Sequence, residues 1–186
     1  MLGLSLLTLA MQQFSVHPVQ FFTAVCFDWL KLLETDYAKQ IILDALRHRV
    51  RVGHVKICAF VIMPNHLHLI WRVQNKYKLV DIQRDFLKFT ARELLLNYRS
   101  KKGERELEEL FVGLKDRKYQ IWKRNSMSVD LTHDWFFKQK FDYLHANPCQ
   151  SHWRLSKQPE DYRYSSAIFY ETGVDEFGFL SHYEEI

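Results

Sequence analysis

The chain has 186 residues, 47% of them hydrophobic and 26% charged, with a formal net charge of +4. These values predict one soluble globular domain over residues 1–186 and exclude a chain too short to bury a core. The charge is mildly basic, so it permits nucleic acid as a partner without implying it.

The three cysteines, Cys26, Cys58 and Cys149, are odd in number and far apart. They suggest neither a disulfide framework nor a thiolate zinc site, and they are typical of a reducing cytoplasm. Residues 1–13 form an atypical apolar lead that lacks a charged start and is far too short to span a bilayer. We therefore expect a cytoplasmic protein with no membrane partner.

Hydrophobic periodicity divides the chain into strands and helices. Thr35 is the predicted N-cap of the first helix, and Thr132 that of the last helix, which Pro148 ends. The charged residues 100–118 are predicted to be an exposed insertion that includes a short helix. Several strands are consecutive, which favours an α+β fold with helices on one face of a sheet. The predicted strands cover 18–27, 54–64, 66–73 and 119–129, and the predicted helices cover 35–50, 79–98 and 131–148.

The run VIMPNHLHLIW (61–71) places two histidines one residue apart in a predicted strand. Since side chains alternate between the faces of a strand, His66 and His68 share one face. Two imidazoles on one face can hold a single metal ion. A bare His-x-His pair more often reflects two partly buried histidines that bond to the backbone, so the pair alone establishes neither interpretation.

The last predicted helix presents a tyrosine beside its apolar stripe. Phe137, Phe141 and Leu144 form the stripe, and Tyr143 is displaced from it by about a third of a turn. Tyr143 is either a residue at the rim of the core, with its hydroxyl in water, or a hydroxyl presented from a rigid helix. Helical spacing leaves both interpretations open. The neighbours on the same side of the helix are Lys140 and Asn147.

Two motifs, in this order, resemble those of the single-tyrosine HUH transposases of bacterial insertion sequences, in particular the REP-associated tyrosine transposases. MPNHLHLIW supplies a His–hydrophobic–His motif at His66, Leu67 and His68, and DYLHANP supplies a tyrosine motif at Tyr143. The resemblance implies a ferredoxin-like, palm-like antiparallel sheet with the histidine strand at its centre. The catalytic tyrosine would stand on a C-terminal helix. The resemblance covers about residues 14–170, including FFTAVCFDWLKLL, QIW (120–122) and PEDYRYSSA (159–167).

The resemblance also implies metal-dependent nicking and rejoining of single-stranded DNA, as in transposition of hairpin-flanked elements in bacteria. Tyr143 would attack a phosphodiester and form a 5′-phosphotyrosine, with no need for ATP because the intermediate keeps the phosphodiester energy. His66, His68 and Asn147 would hold Mg²⁺ or Mn²⁺, which neutralises the scissile phosphate. Two candidates for supporting roles around these residues are His145 and Lys140.

DNA contacts are expected from basic side chains that neutralise phosphates and aromatic side chains that stack on bases. The alternative for each is a solvated basic residue or a core aromatic residue. The resemblance leaves open a monomer and a homodimer that exchanges tyrosine helices. The candidates for DNA binding are Arg47, Arg49, Arg51, Lys118, Tyr119, Trp122, Lys123 and Arg124.

Two other functions compete with the transposase. One is a catalytically silent or domesticated protein that keeps the fold to bind DNA hairpins. Substitution of the tyrosine or of either histidine would favour this function, and the sequence retains all three residues. The other is a metal-binding or hydrolytic enzyme in which Tyr143 plays no part. It would be favoured if His66 and His68 bound zinc together with a third histidine or cysteine. The sequence departs from the family in its apolar lead, in its charged insertion and in CQSHWRLS after Pro148.

Overall fold

A computed structural model describes residues 17–101 and 107–186, so the apolar lead at 1–13 lies outside the described residues. Six strands are described: β1 (Gln20–Val25), β2 (Val55–Ile62), β3 (His66–Val73), β4 (Phe111–Leu114), β5 (Arg117–Tyr119) and β6 (Met127–Asp130). Four of them form an antiparallel sheet in the order β2-β3-β1-β6, and β4 pairs with β5 in a separate hairpin. The predicted α+β class is confirmed, and the histidine strand β3 is paired on both sides.

Four α-helices are described: α1 (Asp36–Arg51), α2 (Leu79–Lys101), α3 (Asp134–Ala146) and α4 (Ala167–Thr172). α1 begins as predicted, because Thr35 Oγ1 accepts a hydrogen bond of 3.2 Å from the Ala38 amide. The predicted cap of α3 is wrong: His133 is the N-cap, and its side chain makes no capping bond. None of these helices is long and apolar enough to cross a membrane.

The helices lie on both faces of the sheet, which corrects the expectation of a single helical face. α1 and α2 pack over a core that contains Phe22 and Trp71. α3 packs on the opposite face over Phe21 and Ile70, to which it contributes Leu144. β1 and β3 are apolar at successive positions, and successive side chains point to opposite faces, so both faces need a helical cover.

One prediction between residues 100 and 130 is wrong, and it concerns the strand at 119–129. The described part of the insertion, residues 107–118, includes a 3-10 turn at Glu108–Leu110 and the β4–β5 hairpin, in which Gly113 has φ 56°. The short helix predicted in the insertion falls partly on residues 102–106, which lie outside the described residues. The predicted strand 119–129 is broken: Tyr119 ends β5, Trp122 forms an isolated bridge with Cys26, and residues 127–129 belong to β6. Asn125 has φ 61°, a left-handed conformation that an extended strand does not accommodate.

The free edge of β2 is covered by the segment PEDYRYSSA. The Ile62 amide donates to the Tyr164 carbonyl at 2.9 Å, and the Ser166 amide donates to the Phe60 carbonyl at 3.0 Å. The Ser166 hydroxyl also accepts from the Phe60 amide at 2.9 Å. These bonds satisfy the exposed backbone groups of an edge strand. They hold β2 in place, and β2 supports β3 from one side.

Candidate active site

His66 and His68 lie side by side on the face of β3 that α3 covers. Their ring centroids are 4.8 Å apart, and the residues are only 8% and 5% exposed. Both line a cavity of about 850 Å³. The predicted sharing of one face is confirmed.

Each imidazole is held through its Nδ1 atom. His66 Nδ1 donates to Asn65 Oδ1 at 2.7 Å, and the Asn65 amide nitrogen donates to the Trp29 carbonyl at 3.2 Å. That second bond orients the amide, so the lone pair of His66 is on Nε2. His68 Nδ1 shares a hydrogen bond of 2.8 Å with Thr23 Oγ1. The Nε2 atom of His68 is buried and has no hydrogen-bond partner among the described residues.

Burial keeps both imidazoles uncharged. It lowers the pKa of His66 to about 4, an effect that a hydrogen bond with the Asn147 side chain partly opposes. Burial likewise lowers the pKa of His68 to about 3. The positive charge of Lys140, and that of His66 when it is protonated, act in the same direction. Neutral imidazoles are the form that binds metal ions, so both are ready ligands at pH 7.

Asn147 lies in the 3-10 turn Asn147–Cys149 that directly follows α3. It is 4% exposed and lines the same cavity as the histidine pair. Its side chain lies close enough to His66 to influence the pKa of that imidazole. The structure therefore brings the three predicted metal ligands, His66, His68 and Asn147, to one site.

Tyr143 projects from α3 into this cavity. It is 46% exposed, and its ring centroid lies 5.4 Å from that of His68 and 6.2 Å from that of Phe21. Lys140 is on the same side of the helix, as predicted, with its ammonium 5.8 Å from the Tyr143 ring centroid and 5.2 Å from that of Phe21. Such cation–π contacts keep a positive charge next to the tyrosine.

The described lining of the cavity has no carboxylate. Two basic side chains, Lys123 and Arg124, contribute to it, together with the polar groups of the site. A cleft of one charge sign attracts a ligand of the opposite sign, so this cavity suits an anion. The remaining lining residues include Thr23, Val25, Trp29, Asn65, Gln150, His152 and Trp153.

The donor set fits a hard or borderline divalent cation. Within residues 17–101 and 107–186, no group of three His, Cys, Asp or Glu side chains is placed to hold a metal ion. Those residues thus offer two imidazole nitrogens and the Asn147 amide oxygen, which leaves coordination positions for phosphate oxygens and water. The unpartnered Nε2 of His68 supports this fit, since buried polar atoms are normally paired.

His145 is not part of this site. It is buried on the other side of α3, where its Nε2 lies 2.7 Å from the Ser166 hydroxyl and its ring packs on Phe141 and Tyr170. The expected supporting role near the metal ligands is therefore wrong for His145. Helical geometry explains this, because residues two apart on a helix point in different directions.

Four of the predicted DNA-binding residues lie elsewhere. Trp122 is 6% exposed and donates from its indole to Thr90 Oγ1 at 3.0 Å, so it is a core residue. The other three are on α1, across the sheet from the cavity, and bond to neighbours there: Arg47 to Asp44 and Phe177, Arg49 to His54, and Arg51 to His48.

Of the remaining four candidates, two line the cavity and one lines a second cavity. Lys123 and Arg124 line the first cavity, and they also line the second, which runs along α2 and has Tyr119 in its wall. Lys118 is exposed on β5, with its ammonium 5.4 Å from the Tyr119 ring centroid. Basic residues of α2, Arg84 and Lys88, extend the second cavity.

Sequence reasoning missed the residues that orient and surround the imidazoles. Asn65 directly precedes His66, and this adjacency was an available signal. Thr23 faces His68 only through the pairing of β1 with β3, and no local pattern marks it. Trp29 and Trp153 enter the cavity wall from separate turns, and the Trp153 ring centroid lies 5.9 Å from that of His66.

Comparison with solved structures agrees with this architecture. The REP-associated tyrosine transposase bound to a REP hairpin matches with a TM-score of 0.60 and 21% sequence identity, over 89% of this chain and 87% of that one. A putative transposase from Deinococcus radiodurans R1 matches with a TM-score of 0.45 and 13% identity, over 69% of this chain and 89% of that one. No protein-family model and no curated protein matches the sequence. The chain thus has the fold of a REP-associated tyrosine transposase.

Proposed function

We propose that this protein is a transposase that nicks and rejoins single-stranded DNA through Tyr143. The observation that carries the proposal is the position of Tyr143, whose ring centroid lies 5.4 Å from that of His68. The Nε2 atom of this imidazole is buried and has no hydrogen-bond partner in the described part of the chain. The shared fold with a transposase bound to a REP hairpin supports a DNA hairpin as the partner.

His66, His68 and Asn147 are the residues that would hold Mg²⁺ or Mn²⁺. A cation bound there would neutralise the oxygens of the scissile phosphate and polarise its phosphorus. The chain prepares for this by burying both imidazoles in neutral form and by holding their Nδ1 atoms with Asn65 and Thr23. Such outer contacts orient metal ligands and raise their affinity.

Tyr143 would carry out the nicking step. Its phenolic oxygen forms a bond to phosphorus as the bond from phosphorus to the 3′ oxygen breaks. The phenolic proton passes to water, which the half-exposed side chain can reach, and the departing 3′ oxygen takes up a proton to become a hydroxyl. The ammonium of Lys140 stabilises the negative charge that develops on the phenolic oxygen.

Rejoining would reverse this step. The 5′-phosphotyrosine is still a phosphodiester, so an incoming 3′-hydroxyl can displace Tyr143 without ATP. Because α3 packs on the sheet of its own chain, Tyr143 and the histidine pair meet within one chain. This packing supports a reaction within one chain over an exchange of tyrosine helices between two copies.

The test is the formation of a covalent protein–DNA adduct. Labelled single-stranded hairpin DNA is incubated with the protein and Mn²⁺ or Mg²⁺, and the products are separated under denaturing conditions. We expect an adduct in the wild type, and none after Tyr143→Phe, His66→Ala or chelation of the metal. Tyr183→Phe is the matched control, because Tyr183 is also about half exposed (42%) and does not line the cavity.

DNA binding without an adduct, across several hairpins and both metals, would reject the nuclease and favour a silent hairpin-binding protein. An adduct that survives Tyr143→Phe would assign the chemistry to another nucleophile.

A further inference from the structure

Trp29 occupies an unusual position at the wall of the catalytic cavity. It ends the 3-10 turn Phe27–Trp29 that follows β1, and its side chain lines the cavity although 57% of the residue is exposed. Asp28 and Trp29 have φ of 48° and 57°, so two consecutive residues with side chains adopt the left-handed conformation. This conformation is disfavoured for residues with a Cβ and persists where surrounding contacts hold it.

Asn65 supplies two of the contacts that hold this turn, in addition to the hydrogen bond of 2.7 Å from the Phe27 amide to the Ile121 carbonyl. Its side-chain amide donates to the Trp29 carbonyl at 3.2 Å, and its own carbonyl accepts from the Cys26 amide at 2.8 Å. The same side chain accepts the hydrogen bond from His66. The Asn65 side chain therefore bonds both to the turn that carries the indole and to the imidazole that would bind the metal. These two bonds restrict the distance between the Trp29 indole and the His66 imidazole.

The indole is presented to the cavity beside a positive charge. Lys123 Nζ lies 5.6 Å from the Trp29 ring centroid, and both residues line the cavity. Trp135, the other strongly exposed tryptophan of the described residues, is 69% exposed, stacks on His133 and lies outside the cavity lining. The exposure of Trp29 is thus directed at the place where a substrate would bind.

A nucleobase is the ligand that suits this wall. The volume of about 850 Å³ exceeds what a metal ion and one phosphate fill, and it is typical of a cleft for a larger organic ligand. An exposed aromatic face stacks on any base, and a neighbouring ammonium binds the phosphate attached to it. The absence of carboxylates from the described lining favours the same anionic ligand.

Resting on the proposed function, we infer that Trp29 is a stacking platform for one unpaired base next to the scissile phosphate. Lys123 holds the backbone phosphate of that nucleotide. Asn65 bonds both to the turn and to His66. A base stacked on Trp29 therefore places the neighbouring phosphate next to the metal ligands and Tyr143. Trp29 is therefore a positioning residue, and the substrate requires an unpaired nucleotide beside the cleavage point.

The first experiment compares Trp29→Ala, Trp29→Phe and the matched control Trp135→Ala. DNA affinity is measured in a Tyr143→Phe background, where no cleavage occurs, and adduct formation is measured with Tyr143 present. Loss of one base stack corresponds to roughly 5- to 150-fold weaker binding. We expect a loss in this range for Trp29→Ala, most of the affinity restored in Trp29→Phe, and no change for Trp135→Ala.

The second experiment removes single bases from the DNA. Abasic sites are placed one at a time along the unpaired segments of the hairpin DNA that the wild type binds. We expect one abasic position to weaken binding to the wild type as much as Trp29→Ala does, and to cause no further loss in that variant.

The outcomes separate this inference from the proposed function. Equal affinity of Trp29→Ala and the wild type, or additive losses at every abasic position, would overturn the platform while leaving the adduct intact. A Trp29→Ala protein that has lost Mn²⁺ affinity along with DNA affinity would show that the turn only supports His66. If no adduct forms but the abasic pattern appears, the nuclease fails and the stacking platform stands.

Discussion

Tyr143 and His68 are in edge-to-face contact in the wall of the cavity, with ring centroids 5.4 Å apart and ring planes at 64°. The contact joins a helix to the central strand that it covers. His68 is buried and supported by Thr23, whereas Tyr143 is half exposed and free of the core. A buried, fixed imidazole thus lies beside an accessible phenol, which is the arrangement that the proposed function requires.

Tyr143→Phe is expected to abolish adduct formation while leaving the fold unchanged. The hydroxyl faces the cavity, and substitutions at exposed positions usually change the free energy of unfolding by no more than about 0.5 kcal/mol. Urea denaturation and hairpin binding should match the wild type. A large loss of stability would show that the hydroxyl has a structural role.

Asn65→Ala is expected to weaken metal binding by about 10- to 100-fold, because it removes the acceptor that orients His66. Mn²⁺ affinity measured by calorimetry checks this. Asn75→Ala is the control, since Asn75 is exposed and lies outside the cavity lining. Equal losses in both variants would contradict an orienting role for Asn65.

The metal-free protein is expected to lose stability as the pH falls from about 6.5 towards 5. Burial lowers the pKa of His66 and His145 to about 4 and that of His68 to about 3, whereas histidine in an unfolded chain has a pKa of about 6.5. In this range the unfolded chain binds protons that the folded chain does not, so acid favours unfolding. Urea denaturation in the presence of a chelator, between pH 7.5 and 5, measures the slope.

His66→Asn should reduce that slope, because it removes one of the buried histidines whose pKa is lowered by folding. A free energy of unfolding that stays constant over the same pH range would rule out buried neutral histidines.

Replacing Lys123 and Arg124 by alanine is expected to weaken DNA binding and its dependence on salt. Each lost phosphate contact lowers the slope of log affinity against log salt by about 0.7 for single strands. Arg51→Ala is the control, because Arg51 is on α1, across the sheet from the cavity. If Arg51→Ala weakened DNA binding as much as the cavity substitutions do, the DNA would bind on the α1 face of the sheet and not at the cavity.

Ser166→Ala is expected to cost about 1–3 kcal/mol of unfolding free energy. The Ser166 hydroxyl accepts from the Phe60 amide at 2.9 Å and lies 2.7 Å from His145 Nε2, and both groups are buried. Ser100→Ala, at an exposed position of α2, should be neutral in the same urea titration. Wild-type stability in Ser166→Ala would mean that β2 is held by backbone bonds alone.

Several features follow from local periodicity, and the sequence predicted them. The alternation of strand side chains put His66 and His68 on one face of β3. Helical spacing put Phe137, Phe141 and Leu144 against the core and Tyr143 beside them. These features depend on residues a few positions apart, whose relative directions are set by the backbone of one element.

Other features were decided by the tertiary structure. The sequence did not reveal that α3 covers the face opposite α1, that Trp122 is buried, or that the strand predicted at 119–129 is broken. The partners of the imidazoles were equally hidden. Thr23 reaches His68 through strand pairing, and Trp29 reaches the cavity through a left-handed turn that Asn65 holds. Such contacts join residues distant in sequence, and the packing of whole elements determines them, so no local pattern records them.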